Sequence, residues 1–298
     1  MGKAERNRRQ SAREKIAAQQ AAARRAEVRR QMMIVGGSIV VVLAIVVAFV
    51  AIKLSASPAK AGPTAGGKTA AAVQHDLATV PTATLDSVGK GATYPDAVQT
   101  IKTASTPLAS GGKPEIVYVG AEYCPFCAAE RWAIVTALSR FGTFSGLGLI
   151  HSSATDTDAN TPTLTFLNAV YKSTYVVFST TEAETVLEKP LQKMTPLDTQ
   201  LMAKYDIPPY VQTTSEDGSY PFVDFGNKYV IDGASYDPTV LAGKSWTQVA
   251  AALRDPSSPI AKGADGAANL ITAAICKLTG NQPASACTPA VKALEGSI

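Results

Sequence analysis

Glu115-Ile-Val-Tyr-Val-Gly-Ala-Glu-Tyr-Cys124-Pro125-Phe126-Cys127-Ala-Ala-Glu-Arg-Trp132 passes from one periodicity into another. Ile116 to Val119 is apolar and largely β-branched, the pattern of a strand buried on both faces. From Ala128 the apolar residues take helical spacing. Ile134, Val135, Leu138 and Phe141 are expected to face a sheet, and Gly142 to end the helix. Two thiols therefore stand at a strand-to-helix junction. The unpaired N–H groups and dipole of a helix start favour an anion there. The thiolate is the form that attacks disulfides, so this position makes Cys124 a nucleophile near neutral pH. Cys127 follows about one turn later on the same face. Pro125 suits the first helical turn, where its missing N–H is no loss.

A bare Cys-x-x-Cys serves redox exchange, metal binding or a structural disulfide. Zinc needs two further ligands at matching spacing. The remaining cysteines, Cys276 and Cys287, are spaced differently, and the two histidines, His75 and His151, are isolated. The strand–Cys-Pro-x-Cys–helix arrangement favours redox exchange, with no metal and no cofactor. Cys276 and Cys287 read as a structural disulfide pinning the C-terminal tail in an oxidising compartment. The alternative is a second redox pair that exchanges with the first.

The N-terminal quarter places this chemistry. Residues 1–31 hold ten Lys or Arg against three acids, a net charge of +7. The whole chain is +4, so the remainder sums to −3. Residues 32–52 carry no charge, and at helical rise they span about 31 Å, the thickness of a bilayer core. Positive charge stays on the cytoplasmic side. The expectation is a basic cytoplasmic leader (1–31) and an uncleaved single-pass anchor (32–52) in the cell membrane. The Pro, Gly, Ala and Ser of 53–73 read as a flexible tether, followed by an extracytoplasmic domain over 74–298. Basic residues beside a span hold anionic lipid. No aromatic or groove-reading motif accompanies them, so nucleic acid is not expected as a partner.

Further along, a short helix is expected near 96–103. Leu147–Ser152 reads as a strand, and Thr163–Ala169 with Tyr175–Phe178 as strands that could pair. Thr195-Pro196 starts a helix to Tyr205, and Ser245 caps another to about Arg254. Phe222–Phe225, Gly226-Asn227 and Lys228–Ile231 form a hairpin with a tight turn. A last long helix runs from Pro259 to about Leu278. This order is an α/β layout.

The sequence resembles the thioredoxin-like superfamily. Ala121-Glu122-Tyr123-Cys124-Pro125-Phe126-Cys127 looks like its active-site loop. The resemblance implies that Cys124 attacks and Cys127 resolves, and that Pro221, in Tyr220-Pro221-Phe-Val-Asp-Phe, is a cis-proline facing the pair. It also implies that the backbone of Tyr220 pairs with a bound substrate chain, with Tyr123, Pro125 and Phe126 lining the contact. Two departures stand out. An insertion is needed between the redox helix and the proline hairpin, placed at about 153–200. The Pro-Phe middle of the motif brings no cation to steady the thiolate. The runs AEYCPFCAAERWAIVTALSRFGTF and YPFVDFGNKYV are also similar to a family of membrane-anchored prokaryotic proteins known as domain of unknown function 929. That family implies the same fold and no particular reaction.

Other residues carry less. Glu122 reads as a proton relay for Cys127 or as a solvated strand end. Glu130 and Arg131 read as a surface pair, Trp132 as a packing residue, and His151 as a structural histidine. No Ser/His/Asp set, phosphate loop or dinucleotide fingerprint stands out. Two functions remain. One is a membrane-anchored extracytoplasmic thiol–disulfide oxidoreductase that acts on protein thiols and disulfides with a membrane redox partner. The other is a non-catalytic membrane-tethered binding or assembly module whose cysteine pair is structural.

Overall fold

The computed structural model describes residues 66–298 except 104, 209 and 211–218. The basic leader and the candidate span at 32–52 lie outside the described residues. Among those described, no helix is long and apolar enough to cross a membrane.

Helices α1 (Gly67–Ala78) and α2 (Thr82–Val88) come first. The expected tether of 53–73 therefore needs correcting: α1 starts inside it and buries Ala70, Val73 and Leu77. Those residues recur at three- and four-residue steps, so a small-residue segment still presents one apolar stripe. The expected helix at 96–103 is absent. Gln99 and Thr100 instead form β1 (Gln99–Thr100), an edge strand whose sheet pairing overrides the local helical reading.

Next come β2 (Ala109–Ser110) and β3 (Lys113–Gly120), joined through Gly111 and Gly112, both at positive φ. Helix α3 (Pro125–Leu138) follows, then β4 (Gly142–Ser145), β5 (Gly148–His151), β6 (Pro162–Thr165), β7 (Val170–Ser173) and β8 (Val177–Glu182). Helix α4 (Pro196–Tyr205) starts with a Thr195 capping box, and β9 (Phe222–Phe225) and β10 (Tyr229–Asp232) form the hairpin. Its register pairs Phe225 with Tyr229, so the turn holds three residues, with Gly226 and Asn227 at positive φ. Helices α5 (Trp246–Ala252), α6 (Gly266–Leu278) and α7 (Pro289–Ala293) complete the chain. The residues before α6, 261–265, make a π-helical turn, so the long last helix is continuous but locally widened and underwound.

The result is a mixed α/β fold around a central sheet in the order β1-β10-β9-β3-β2, with β8 also paired to β3. Strand β3 is the pivot. It is antiparallel to β9 on one side and parallel to β8 on the other, over Glu115–Gly120. Parallel pairing requires a crossover, and here α3 and the two small ladders supply it.

Two further expectations change. Thr163–Ala169 and Tyr175–Phe178 do not pair: β6 joins β5, β7 joins β4, and β8 joins β3. The extra material therefore does not span 153–200 as expected, because that range supplies a strand of the central sheet. The two ladders outside the sheet lie at 142–173.

Helix α3 is buried along its length, not on one face. Of its fourteen residues, Phe126 alone is exposed. It packs against α6, α1, β6 and the π turn, the environment expected of a helix that is apolar nearly all round. Cys276 in α6 is disulfide-bonded to Cys287, with an S–S distance of 1.97 Å.

Candidate active site

Strand β3 delivers the chain to Ala121, and a short turn brings Cys124 to the N-cap of α3 with extended backbone angles. Pro125 occupies the first turn. The backbone N–H of Cys127 donates to Cys124 Sγ at 3.2 Å. This is the helix-start geometry in which a side-chain atom satisfies an orphan N–H. On the opposite side the Cys124 thiol donates to the carbonyl oxygen of Tyr220 at 3.5 Å. The Tyr220–Pro221 peptide bond is cis. Both cysteines are reduced. Cys124 is 5% exposed and Cys127 fully buried.

Ala121, Cys124 and Cys127 form one small apolar cluster, with Tyr123 and Tyr220 packed against it. Pro125 is buried, while Phe126 is 41% exposed and projects beside the pair. The structure thus gathers Tyr123, Cys124, Pro125, Phe126, Cys127, Tyr220 and Pro221 at one place. Cys276 and Cys287 are apart from it, each buried in the main apolar core.

The two thiols are electrostatically unlike. The hydrogen bond from the Cys127 thiol is the largest influence holding Cys124 below the ordinary thiol range. Burial opposes it, and the N–H groups of Cys127 and Phe126 and the charge of Arg131 assist. Burial first, then the hydrogen bond and charge of Cys124, push Cys127 well above that range. One thiol is primed to ionise and the other to stay protonated.

Glu122 is not a solvated strand end. It is buried, its carboxylate accepts from Thr165 Oγ1 at 2.7 Å, and burial raises its pKa. The hydrogen bond it makes holds β6 rather than reaching either sulfur.

Glu130 and Arg131 are not a surface pair: both are fully buried. Glu130 accepts from the backbone N–H and hydroxyl of Ser235, at 2.8 and 3.0 Å. Burial nevertheless brings its pKa up to about 7. Arg131 forms a bidentate ion pair with Glu182 at the end of β8, with Nε–Oε1 at 3.0 Å and Nη2–Oε2 at 2.6 Å. Its Nη2 also donates to the carbonyl of Ala121 at 2.8 Å. Sequence reasoning missed this cation. The available signal was its place four residues after Cys127, one turn along the same face. Glu182 gave no local signal, since the register of β8 against β3 sets it opposite Gly120. Trp132 is buried and donates to the carbonyl of Pro162, and the His151 ring packs tilted against Trp246, with centroids 4.5 Å apart. Among the described residues no cluster of His, Cys, Asp and Glu could hold a metal ion.

No curated protein and no solved structure matches the chain. The family described as a domain of unknown function (DUF929) matches residues 99–277. That span runs from β1 to the end of α6 and takes in Cys124, Cys127, Arg131, Glu182 and Pro221. It covers more than half of the 298 residues, and the chain is a member of the DUF929 family.

Proposed function

We propose that this protein is a membrane-anchored thiol–disulfide oxidoreductase of thioredoxin-like fold, acting outside the cytoplasm on protein thiols and disulfides. The observation that carries the reading is the asymmetric pair at the start of α3. Cys124 Sγ lies 3.2 Å from the Cys127 N–H and 3.5 Å from the Tyr220 carbonyl, with Cys127 sealed beneath it. The fold reading is supported by the central order of a parallel strand, the cysteine strand, then a proline-led hairpin strand.

In the reductive direction the Cys124 thiolate attacks a substrate disulfide. A mixed disulfide forms and a substrate thiolate leaves. Cys127 then loses its proton and attacks Cys124 Sγ, which releases the second substrate thiolate and closes the Cys124–Cys127 disulfide. The oxidative direction is the reverse. The chemistry uses no cofactor, and electrons pass to or from a membrane redox partner. An exposed Phe126 and the half-buried Tyr123 and Tyr220 offer apolar contact to an unfolded or extended client. The basic leader binds anionic lipid at the cytoplasmic face, and the span at 32–52 holds the domain on the other side.

The test uses the full-length chain in detergent. Refolding of reduced ribonuclease and reduction of insulin should both be catalysed, and Cys124→Ser should abolish both. Wild-type rates equal to those of Cys124→Ser would assign the pair a structural role in a tethered binding module.

A further inference from the structure

Behind the cysteine pair lies a buried polar set that attack by Cys124 alone does not employ. Two of the three guanidinium nitrogens of Arg131 are held by Glu182 and Ala121. The third, Nη1, is buried with no hydrogen-bond partner. Tyr118, on β3, is likewise fully buried, and its hydroxyl has no partner. The guanidinium carbon lies 5.8 Å from the centre of the Tyr118 ring.

Gly120 makes this arrangement possible. A Cβ there would stand 2.1 Å from the Tyr118 hydroxyl. The tyrosine therefore extends along β3 over Gly120, toward the strand end that carries Ala121 and the cysteines. Buried donors without acceptors are rare and costly in folded proteins. Both orphans here are donors. The acceptor that the proposed chemistry creates in this region only during turnover is the Cys127 thiolate, since Cys127 otherwise keeps its proton. Arg131 and Tyr118 both interact electrostatically with Cys127.

We propose, resting on the reading above, that Tyr118 and Arg131, with Glu182 fixing the guanidinium, supply the donors that stabilise the Cys127 thiolate while it resolves the mixed disulfide. The resolving step has a definite balance. The Cys127 S–H bond breaks and its proton goes to solvent. A Cys127–Cys124 S–S bond forms, and the bond from Cys124 to the substrate sulfur breaks. The substrate thiolate leaves with the electron pair. The donors neutralise the charge on Cys127 before it is passed to the leaving group. Without them the backbone hydrogen bond at Ala121 is left to offset the loss of water around the anion of a fully buried thiol.

The experiment separates the two half-reactions. The reduced full-length chain in detergent is mixed with the aromatic disulfide dithiobis(nitrobenzoate). Attack by Cys124 releases one coloured thiolate, and resolution by Cys127 releases a second. Cys127→Ser should retain the first phase only. Tyr118→Phe removes one hydroxyl that holds nothing else in place. We expect it to slow the second phase about tenfold relative to the first at neutral pH, and to raise the pH midpoint of that phase by about one unit, since one unit of pKa is a tenfold change in thiolate. The pair Arg131→Met with Glu182→Gln, which leaves no lone buried charge, should move the midpoint the same way. A second phase in Tyr118→Phe with the wild-type midpoint and ratio overturns the assignment, even if the Arg131 variant fails to fold. A wild-type chain with no first phase overturns the oxidoreductase reading itself.

Discussion

Asp265, in the π turn ahead of α6, is fully buried, and neither carboxylate oxygen has a hydrogen-bond partner. Burial raises its pKa from 3.8 to about 8. Between those values the folded chain keeps a proton that the unfolded chain gives up. A carboxyl whose folded pKa is raised stabilises least at high pH: stability is greatest below the unfolded value and falls as pH climbs toward the folded one. The slope inside the window is about 1.4 kcal/mol per pH unit for one group, so from pH 5 to pH 7 Asp265 should remove about 2–3 kcal/mol. Glu130 and Asp224, each raised to about 7 by burial, slope in the same direction, so the wild-type profile alone does not isolate Asp265. Asp265→Asn does, because it keeps the shape and removes the titration. Urea unfolding of wild type and variant at pH 5, 6 and 7 should show the variant gaining about 2 kcal/mol on the wild type across the range. A difference constant to within about 0.5 kcal/mol across that range, near the limit of such difference measurements, would refute the argument.

Three other outcomes are expected. Val73→Ala, in a segment whose composition reads as tether, should cost roughly 2 kcal/mol because the side chain is fully buried; a thermal midpoint unchanged by circular dichroism would return the segment to linker status. Replacing both Cys276 and Cys287 by Ala opens a loop with a sequence separation of 11 and should lower unfolding free energy by about 3 kcal/mol, read by urea titration. Arg131→Met with Glu182→Gln should make the Cys124–Cys127 pair more reducing, by about 30 mV for each tenfold loss of thiolate stabilisation. Equilibration with a glutathione redox buffer measures this, and an unchanged or less negative potential counts against it.

The parts of this fold legible in the sequence were those written in local chemistry. The β-branched run before Cys124, the N-cap position of the cysteine, the Thr195 and Ser245 caps and the Gly226-Asn227 turn each state their structure within a few residues. What was hidden depended on partners distant in sequence. Gln99 and Thr100 are strand because β10 lies beside them. Val177–Glu182 is a sheet strand because β3 has a free edge there. The charges of Glu130 and Arg131 looked like surface residues because charge is normally exposed. Only the register that places Glu182 opposite Gly120, and the approach of Ser235 to Glu130, shows why they are inside. The cysteine pair was thus readable from one dimension, while the groups that tune it required three.

Those tuning groups also bear on the direction of the proposed exchange. The Pro-Phe spacer brings no cation, which argues against a stabilised thiolate and hence against oxidising power. Arg131 reverses the sign of that argument. Its charge acts on both sulfurs, and it is held in place by a bidentate carboxylate rather than by solvent. A fixed cation stabilises the dithiol form only to the extent that the dithiol is ionised, and it does nothing comparable for the neutral disulfide. The reduced state is therefore favoured, and the disulfide becomes the better oxidant. Glu182 limits the effect, since its own negative charge partly cancels the field of Arg131. The pair is thus placed between a spacer-only site and one with an unopposed cation, and Glu182→Gln alone should make its disulfide a still stronger oxidant.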